Sequence, residues 1–135
     1  MKSPFKRAQS KTSQFTTEGA KAESWAQNYL ERQGLRIVTK NYRTRRGEVD
    51  LIMQHGETLV FVEVRLRTHK QFASAAQSID HRKQQRIISA AQHYLQHQEL
   101  WENIPCRFDA ICLGKDADNS DSYQVEWLQN AFSLS

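Results

Sequence analysis

The sequence predicts an α/β fold, a mixed β-sheet of four to five strands flanked by helices in the order α-β-β-β-α-β-β, and three observations lead to it. Residues 47–67 form two apolar, β-branched runs around the polar segment His55-Gly56-Glu57-Thr58, the pattern of a β-hairpin. Two longer stretches, near residues 17–33 and 80–98, repeat their apolar residues at helical spacing. Strand-like runs also precede the hairpin and follow the second helical stretch, so helices and strands interleave.

A chain of 135 residues suits one domain with a single modest core. Apolar residues at 39% and charged residues at 25% match a soluble globular protein. No apolar run approaches the roughly 20 residues of a membrane span, and no hydrophobic segment follows the N-terminal basic residues, so a cytoplasmic location is expected. Cys106 and Cys112 lack a Cys-x-x-Cys framework, which favours reduced thiols over a zinc site or a disulfide.

The formal charge of +4 is unevenly distributed. Lys2, Lys6, Arg7 and Lys11 supply all of it, and residues 1–15 are read as a flexible basic tail with too little apolar content to order itself. Residues 16–135, the folded domain, then balance 15 basic against 15 acidic groups. Within them, residues 36–86 hold 11 basic and 5 acidic residues, and residues 87–135 hold 2 and 7. That asymmetry places a basic surface around the hairpin, either a seat for a phosphate backbone or a mixed solvated face.

The first helix is expected to start near Thr16 or Thr17 and to stop before Gly34. Ala22, Trp25, Ala26, Tyr29 and Leu30 form its buried stripe, and Glu23 lies at the margin of that stripe. Residues 35–42 read as the first strand, and Arg43-Thr44-Arg45-Arg46 as a basic turn able to hold phosphates. In the hairpin, Glu48, Asp50 and Ile52 share one face of the first strand, and Leu59, Phe61, Glu63 and Arg65 share one face of the second. A turn at His55-Gly56 sets Glu63 diagonal to Asp50; a loop from His55 to Thr58 sets the two opposite one another.

Residues 68–78 read as a polar connection and a candidate substrate-facing loop. The second long helix begins near Ser78 or Asp80 and runs to about Gln98, with Ile87, Ile88, Ala91 and Leu95 inward. His81, Arg82, Lys83 and Arg86 crowd its first turns, where a bound phosphate would offset their conflict with the helix dipole. His93 and His97 have metal-ligand spacing but lie opposite Ala91 and Leu95, as an exposed pair would. Residues 106–113 form the next strand, with Arg107 and Asp109 on one face as an internal ion pair or, alternatively, as groups that orient the site. An acidic loop at residues 116–121 leads to a last strand at residues 123–128, and Trp127 and Phe132 close the core.

Two acids among Val49, Leu51, Phe61 and Val62 carry a desolvation cost. Two arrangements relieve it. A divalent metal is one: Mg²⁺ takes oxygen ligands and binds through one or two carboxylates, waters and a substrate phosphate. The other is an ion-paired sheet edge, with Arg65 or Arg67 neutralising Glu63.

An acid in the first helix, Gly-Glu-Val-Asp opening a strand and Phe-Val-Glu-Val-Arg-Leu-Arg in the next resemble the YraN-type bacterial proteins. Arg107-Phe108-Asp109 and a closing Ala131-Phe132 extend the match over residues 19–132. That family resembles the PD-(D/E)XK nucleases, which include archaeal Holliday-junction resolvases and restriction endonucleases. The resemblance implies a restriction endonuclease-like sandwich and a metal-dependent endonuclease acting on DNA, including branched DNA. The alternative is a nuclease-fold protein that binds nucleic acid or a protein partner without cutting.

It also implies that Asp50 and Glu63 hold Mg²⁺ or Mn²⁺ with the Val64 carbonyl, and that Glu23 serves a metal-bound water or a second ion. Arg65 stands where the superfamily motif Glu-x-Lys has lysine; an arginine can stabilise charge but cannot act as a base. Lys83 matches a family lysine and is the candidate replacement. Arg43, Arg45, Arg46, Arg67, Arg82, Lys83 and Arg86 form the expected nucleic-acid-binding set. DNA is the expected partner, with RNA as a second choice, and the likeness to dimeric resolvases raises a homodimer, which nothing in the sequence fixes.

Overall fold

The computed structural model describes residues 17–67, 79–100, 104–116 and 118–133. The expected tail and the expected loop at residues 68–78 lie outside this set. Helix α1 (Thr17–Arg32) is followed by strands β1 (Arg36–Arg43), β2 (Glu48–His55) and β3 (Thr58–Arg67). Helix α2 (His81–His97) then leads to β4 (Cys106–Asp116) and β5 (Asn119–Phe132). The order is the expected one, and the five strands form a single mixed sheet in sequence order.

Neighbouring strands are antiparallel except β3 and β4, which run parallel across the α2 crossover. Among the described residues one helix covers each face. On the α1 face Ala22, Ala26 and Leu30 pack over Leu51, Met53, Val60, Val62, Ile111 and Leu113. On the α2 face Ile87, Ile88, Ala91 and Leu95 pack over Val49, Ile52, Phe61, Phe108 and Ala110. Central β3 is covered on both sides, which explains its unbroken apolar run from Leu59 to Val62. Trp127 and Phe132 are half-buried and close opposite faces, Trp127 towards α1 and Phe132 towards α2.

The β2–β3 register pairs His55 with Thr58 and leaves Gly56 and Glu57 as the two turn residues. Gly56 has φ 64°, the left-handed conformation that a tight hairpin turn asks of its first central residue. This register sets Asp50 opposite Glu63, the second of the two arrangements expected. Strand β5 is longer than its apolar pattern implied and begins within the expected acidic loop, because pairing with β4 extends to Asn119 beyond its apolar stretch.

Candidate functional site

The β2–β3 ladder ends at the Leu51–Val62 pair, one step before Asp50 and Glu63. On the other side of β2, Asn41 and Asp50 lie between the paired positions Lys40–Leu51 and Tyr42–Val49. Asn41 has φ 54°, a left-handed conformation that Asn tolerates better than most residues. Side-chain alternation breaks here too, since Val49 and Ile52 both lie on the α2 face although three residues apart. Asp50 therefore sits at a break in the sheet, and its Oδ2 accepts a hydrogen bond of 2.9 Å from the Val64 N–H.

Both helices reach this break. From α1 comes Glu23, half-buried, whose pKa burial pushes up to about 7. The Asp50 charge adds to that rise, and an Asn41 hydrogen bond with the Lys40 and Arg43 charges opposes it. From α2 comes Lys83. Asp80 caps that helix by accepting from the Lys83 N–H at 2.9 Å, and this fixes where the lysine leaves the first turn. Lys83 Nζ lies 3.5 Å from Glu63 Oε2, and the Arg65 guanidinium lies 3.5 Å from the same oxygen.

Glu63 is only 3% exposed, and no donor group of the protein meets its second oxygen, Oε1; a proton on Glu63 is shared with Asp50 instead. Burial first, and Asp50 next, push its pKa up to about 8 against the pull of Lys83 and Arg65. Burial also raises Asp50 above the usual carboxylate range, opposed mainly by the Val64 N–H and Lys83. Asp50 thus raises the pKa of a glutamate on each side of it, Glu23 from α1 and Glu63 from β3, and two cations lie on a single Glu63 oxygen.

Glu23, Asp50, Glu63, Arg65 and Lys83 are accordingly brought together. The ion-paired alternative is realised in part: Arg65 pairs with Glu63, whereas Arg67 lies beside Gly114 of β4. Among the described residues no three His, Cys, Asp or Glu side chains converge as a ready metal cage. A cation here would use two carboxylates and waters, the manner in which Mg²⁺ commonly binds, and Glu63 Oε1, which no donor group meets, fits such a ligand.

The basic residues form a second group. The turn between β1 and β2 is tied by Thr44, whose hydroxyl donates to the Gly47 carbonyl at 3.0 Å and accepts from the Arg46 and Gly47 N–H groups. It presses on α2 so closely that a Cβ at Gly47 would collide with the Arg86 carbonyl. Arg45 and Arg46 stand exposed at its tip, as do Arg82 and Arg86 on α2, while Arg43 pairs with Glu48 at 3.6 Å.

Asn41, Ser89 and His93 were not among the expected site residues. A left-handed-tolerant Asn inside the strand Ile37-Val38-Thr39-Lys40-Asn41-Tyr42 was the available signal for the first. His93 stacks on His97 as an exposed pair, but its Nδ1 also meets the buried Tyr42 hydroxyl at 2.6 Å. Arg107 and Asp109 form the expected ion pair at 3.0 Å.

The family model of the uncharacterised protein family UPF0102 matches residues 22–113, which span both helices' site residues and the whole hairpin. The chain belongs to that family. A UPF0102 protein of Methylobacillus flagellatus is 50% identical over 116 residues, 85% of this chain and 96% of the relative. UPF0102 proteins of Pseudomonas syringae pv. syringae and Pseudomonas aeruginosa PAO1 are 44% and 45% identical over 114 and 115 residues, 91% of each relative. These matches cover 84% and 85% of this chain. No helix among the described residues of this UPF0102 chain is long and apolar enough to cross a membrane.

Proposed function

We propose that this UPF0102 chain is a divalent-metal-dependent phosphodiesterase of the PD-(D/E)XK kind, cutting DNA, with branched or structured DNA among its substrates. The observation that carries this reading is Glu63 Oε1, a buried carboxylate oxygen that no donor group meets, set opposite a second acid, Asp50. A buried, unsatisfied acid is costly, and such costs gather where function demands them. Asp50 and Glu63 would hold Mg²⁺ or Mn²⁺, with Glu23 nearby, and the ion's charge would offset the repulsion that Asp50 exerts on the other two acids. When bound, the ion polarises the phosphate and lowers the pKa of the attacking water.

The chain's own groups supply the rest. Lys83 brings an ammonium to Glu63 from α2 and stands in for the motif lysine absent at Arg65. Arg65 holds charge that develops on the phosphate but accepts no proton. Arg45, Arg46, Arg82 and Arg86 hold the flanking strand. A second reading, a nuclease fold that binds nucleic acid or a protein without cleavage, is favoured by Lys83 and Arg65 together already neutralising Glu63 Oε2.

Incubation with single-stranded, duplex and branched DNA in Mg²⁺ or Mn²⁺ separates the two. Metal-dependent cleavage that is lost in Asp50→Ala and Glu63→Ala is the expected outcome. Cleavage surviving both substitutions points to contamination, and binding without cleavage supports the second reading. Unchanged cleavage in Lys83→Ala removes the role given to Lys83.

A further inference from the structure

A cavity of about 360 Å³ opens between the β1–β2 turn and α2, lined by Arg43, Thr44, Arg45, Arg46, Ser89 and His93. It adjoins the acids without containing them: Arg43 of its wall acts on the Glu23 charge, and Gly47, at the foot of the turn, precedes Asp50 by three residues, about 10 Å along β2. Among the described residues neither Arg45 nor Arg46 is ion-paired. The Thr44 hydroxyl is spent on the turn itself, which holds the two arginines in place. On the opposite wall Ser89 offers a hydroxyl. His93, with Nδ1 engaged by Tyr42, has Nε2 left to meet a ligand.

Charge selects the ligand. Three guanidiniums and the Glu48 carboxylate paired with Arg43 give the arginines of the cavity a formal charge of +2. A phosphodiester within a strand carries one negative charge; a phosphate monoester carries about 1.5 to 2 at neutral pH and three acceptor oxygens. Guanidinium forks match such oxygens in pairs, and a concave seat admits a strand end more readily than the continuous backbone of a duplex.

We infer that the Arg45–Arg46–Ser89–His93 cavity is a subsite for the terminal phosphate monoester of a nucleic-acid strand, placed beside the acid cluster. The strand as the carrier of that phosphate rests on the function proposed above; the phosphate-binding chemistry does not. The subsite would let the protein tell a phosphorylated end, as left by strand scission, from a hydroxyl end.

The test measures binding of the full chain in EDTA, where no metal-dependent cleavage occurs, by fluorescence anisotropy. The probes are one oligonucleotide carrying a 5′-phosphate, a 3′-phosphate or hydroxyls at both ends, labelled at an internal base. One phosphorylated form is expected to bind roughly tenfold more tightly than the hydroxyl form, and which one identifies the end recognised. The ratio is expected to fall to about one in Arg45→Gln/Arg46→Gln and in Ser89→Ala/His93→Ala. It persists in Asp50→Ala, which removes the acid needed for cleavage. Circular dichroism melts confirm that each variant is folded. Equal binding of all three strands overturns the inference, as does a ratio that survives both double substitutions. A preference retained by a protein that cuts no DNA refutes the nuclease reading and leaves this subsite standing.

Discussion

Buried beside Asp50 and between two cations, Glu63 keeps its proton up to a pKa of about 8, whereas the same carboxyl in an unfolded chain titrates near 4.5. The folded state therefore binds more protons than the unfolded state across that interval, and stability must fall as pH rises through it. The contribution is fully present below about pH 4.5 and is lost as the pH passes 8. Glu23, raised to about 7, adds to the same trend. The metal-free protein is thus expected to melt at a lower temperature at pH 8 than at pH 5. Glu63→Gln, which carries no charge at either pH, should flatten that dependence and raise the melting temperature at pH 8. A melting temperature that rises from pH 5 to pH 8 would contradict a buried Glu63 that keeps its proton through neutral pH.

At the scale of elements, two devices hold the sheet and helices in register. The first is the contact of the β1–β2 turn with α2, where Gly47 touches the Arg86 carbonyl and admits no Cβ. Gly47→Ala is expected to cost about 1–3 kcal/mol in urea unfolding, the usual penalty of overpacking, with the m-value unchanged. The second is Asp109, fully buried in β4, which accepts from Arg107 Nε, from Trp127 Nε1 at 3.0 Å and from the Asn130 N–H at 2.9 Å. Arg107 also reaches His55 Nδ1 at 3.0 Å, so the network ties β4 to β5 and to the hairpin turn. Asn130, at φ 57°, lies in β5 next to the register shift at Phe108/Ala110, and its bond to Asp109 holds that irregular segment. Asp109→Ala leaves the Arg107 charge half-buried without its partner, and a loss of about 3–5 kcal/mol is expected from the same unfolding measurement.

At the scale of the whole molecule, attraction to a polyanion depends on placement, since residues 16–135 carry equal numbers of basic and acidic groups. The fold gathers Arg45, Arg46, Arg82 and Arg86 on the turn and α2 at one side of the sheet. Each duplex phosphate neutralised there should contribute about 0.9 to the slope of log affinity against log salt. Arg82→Gln/Arg86→Gln is expected to lower that slope by about 2 units in duplex DNA titrations. An unchanged slope would place the duplex on another surface.

Much of this architecture was legible in the chain. The helical spacing of Ala22, Ala26 and Leu30, and of Ile87, Ile88, Ala91 and Leu95, marks which faces must be buried, and local burial patterns decide helix or strand. The continuous run Leu59-Val60-Phe61-Val62 marks a strand covered on both sides. The same run held Glu63, whose presence there flagged chemistry. Hidden from the sequence were the hairpin register, which two turn geometries left open, and the left-handed kink at Asn41 that frees Asp50 from the ladder. Equally hidden were the pairing of Lys83 with Glu63 and the cavity that joins Arg45 and Arg46 to Ser89 and His93. Periodicity is a local property and the sequence by itself determined what it governs: the elements, their order, their buried faces and the acids that interrupt them. Which acid meets which cation depends on the crossing of helices over a twisted sheet, a balance of packing among residues distant in the chain, and that only the tertiary structure decided.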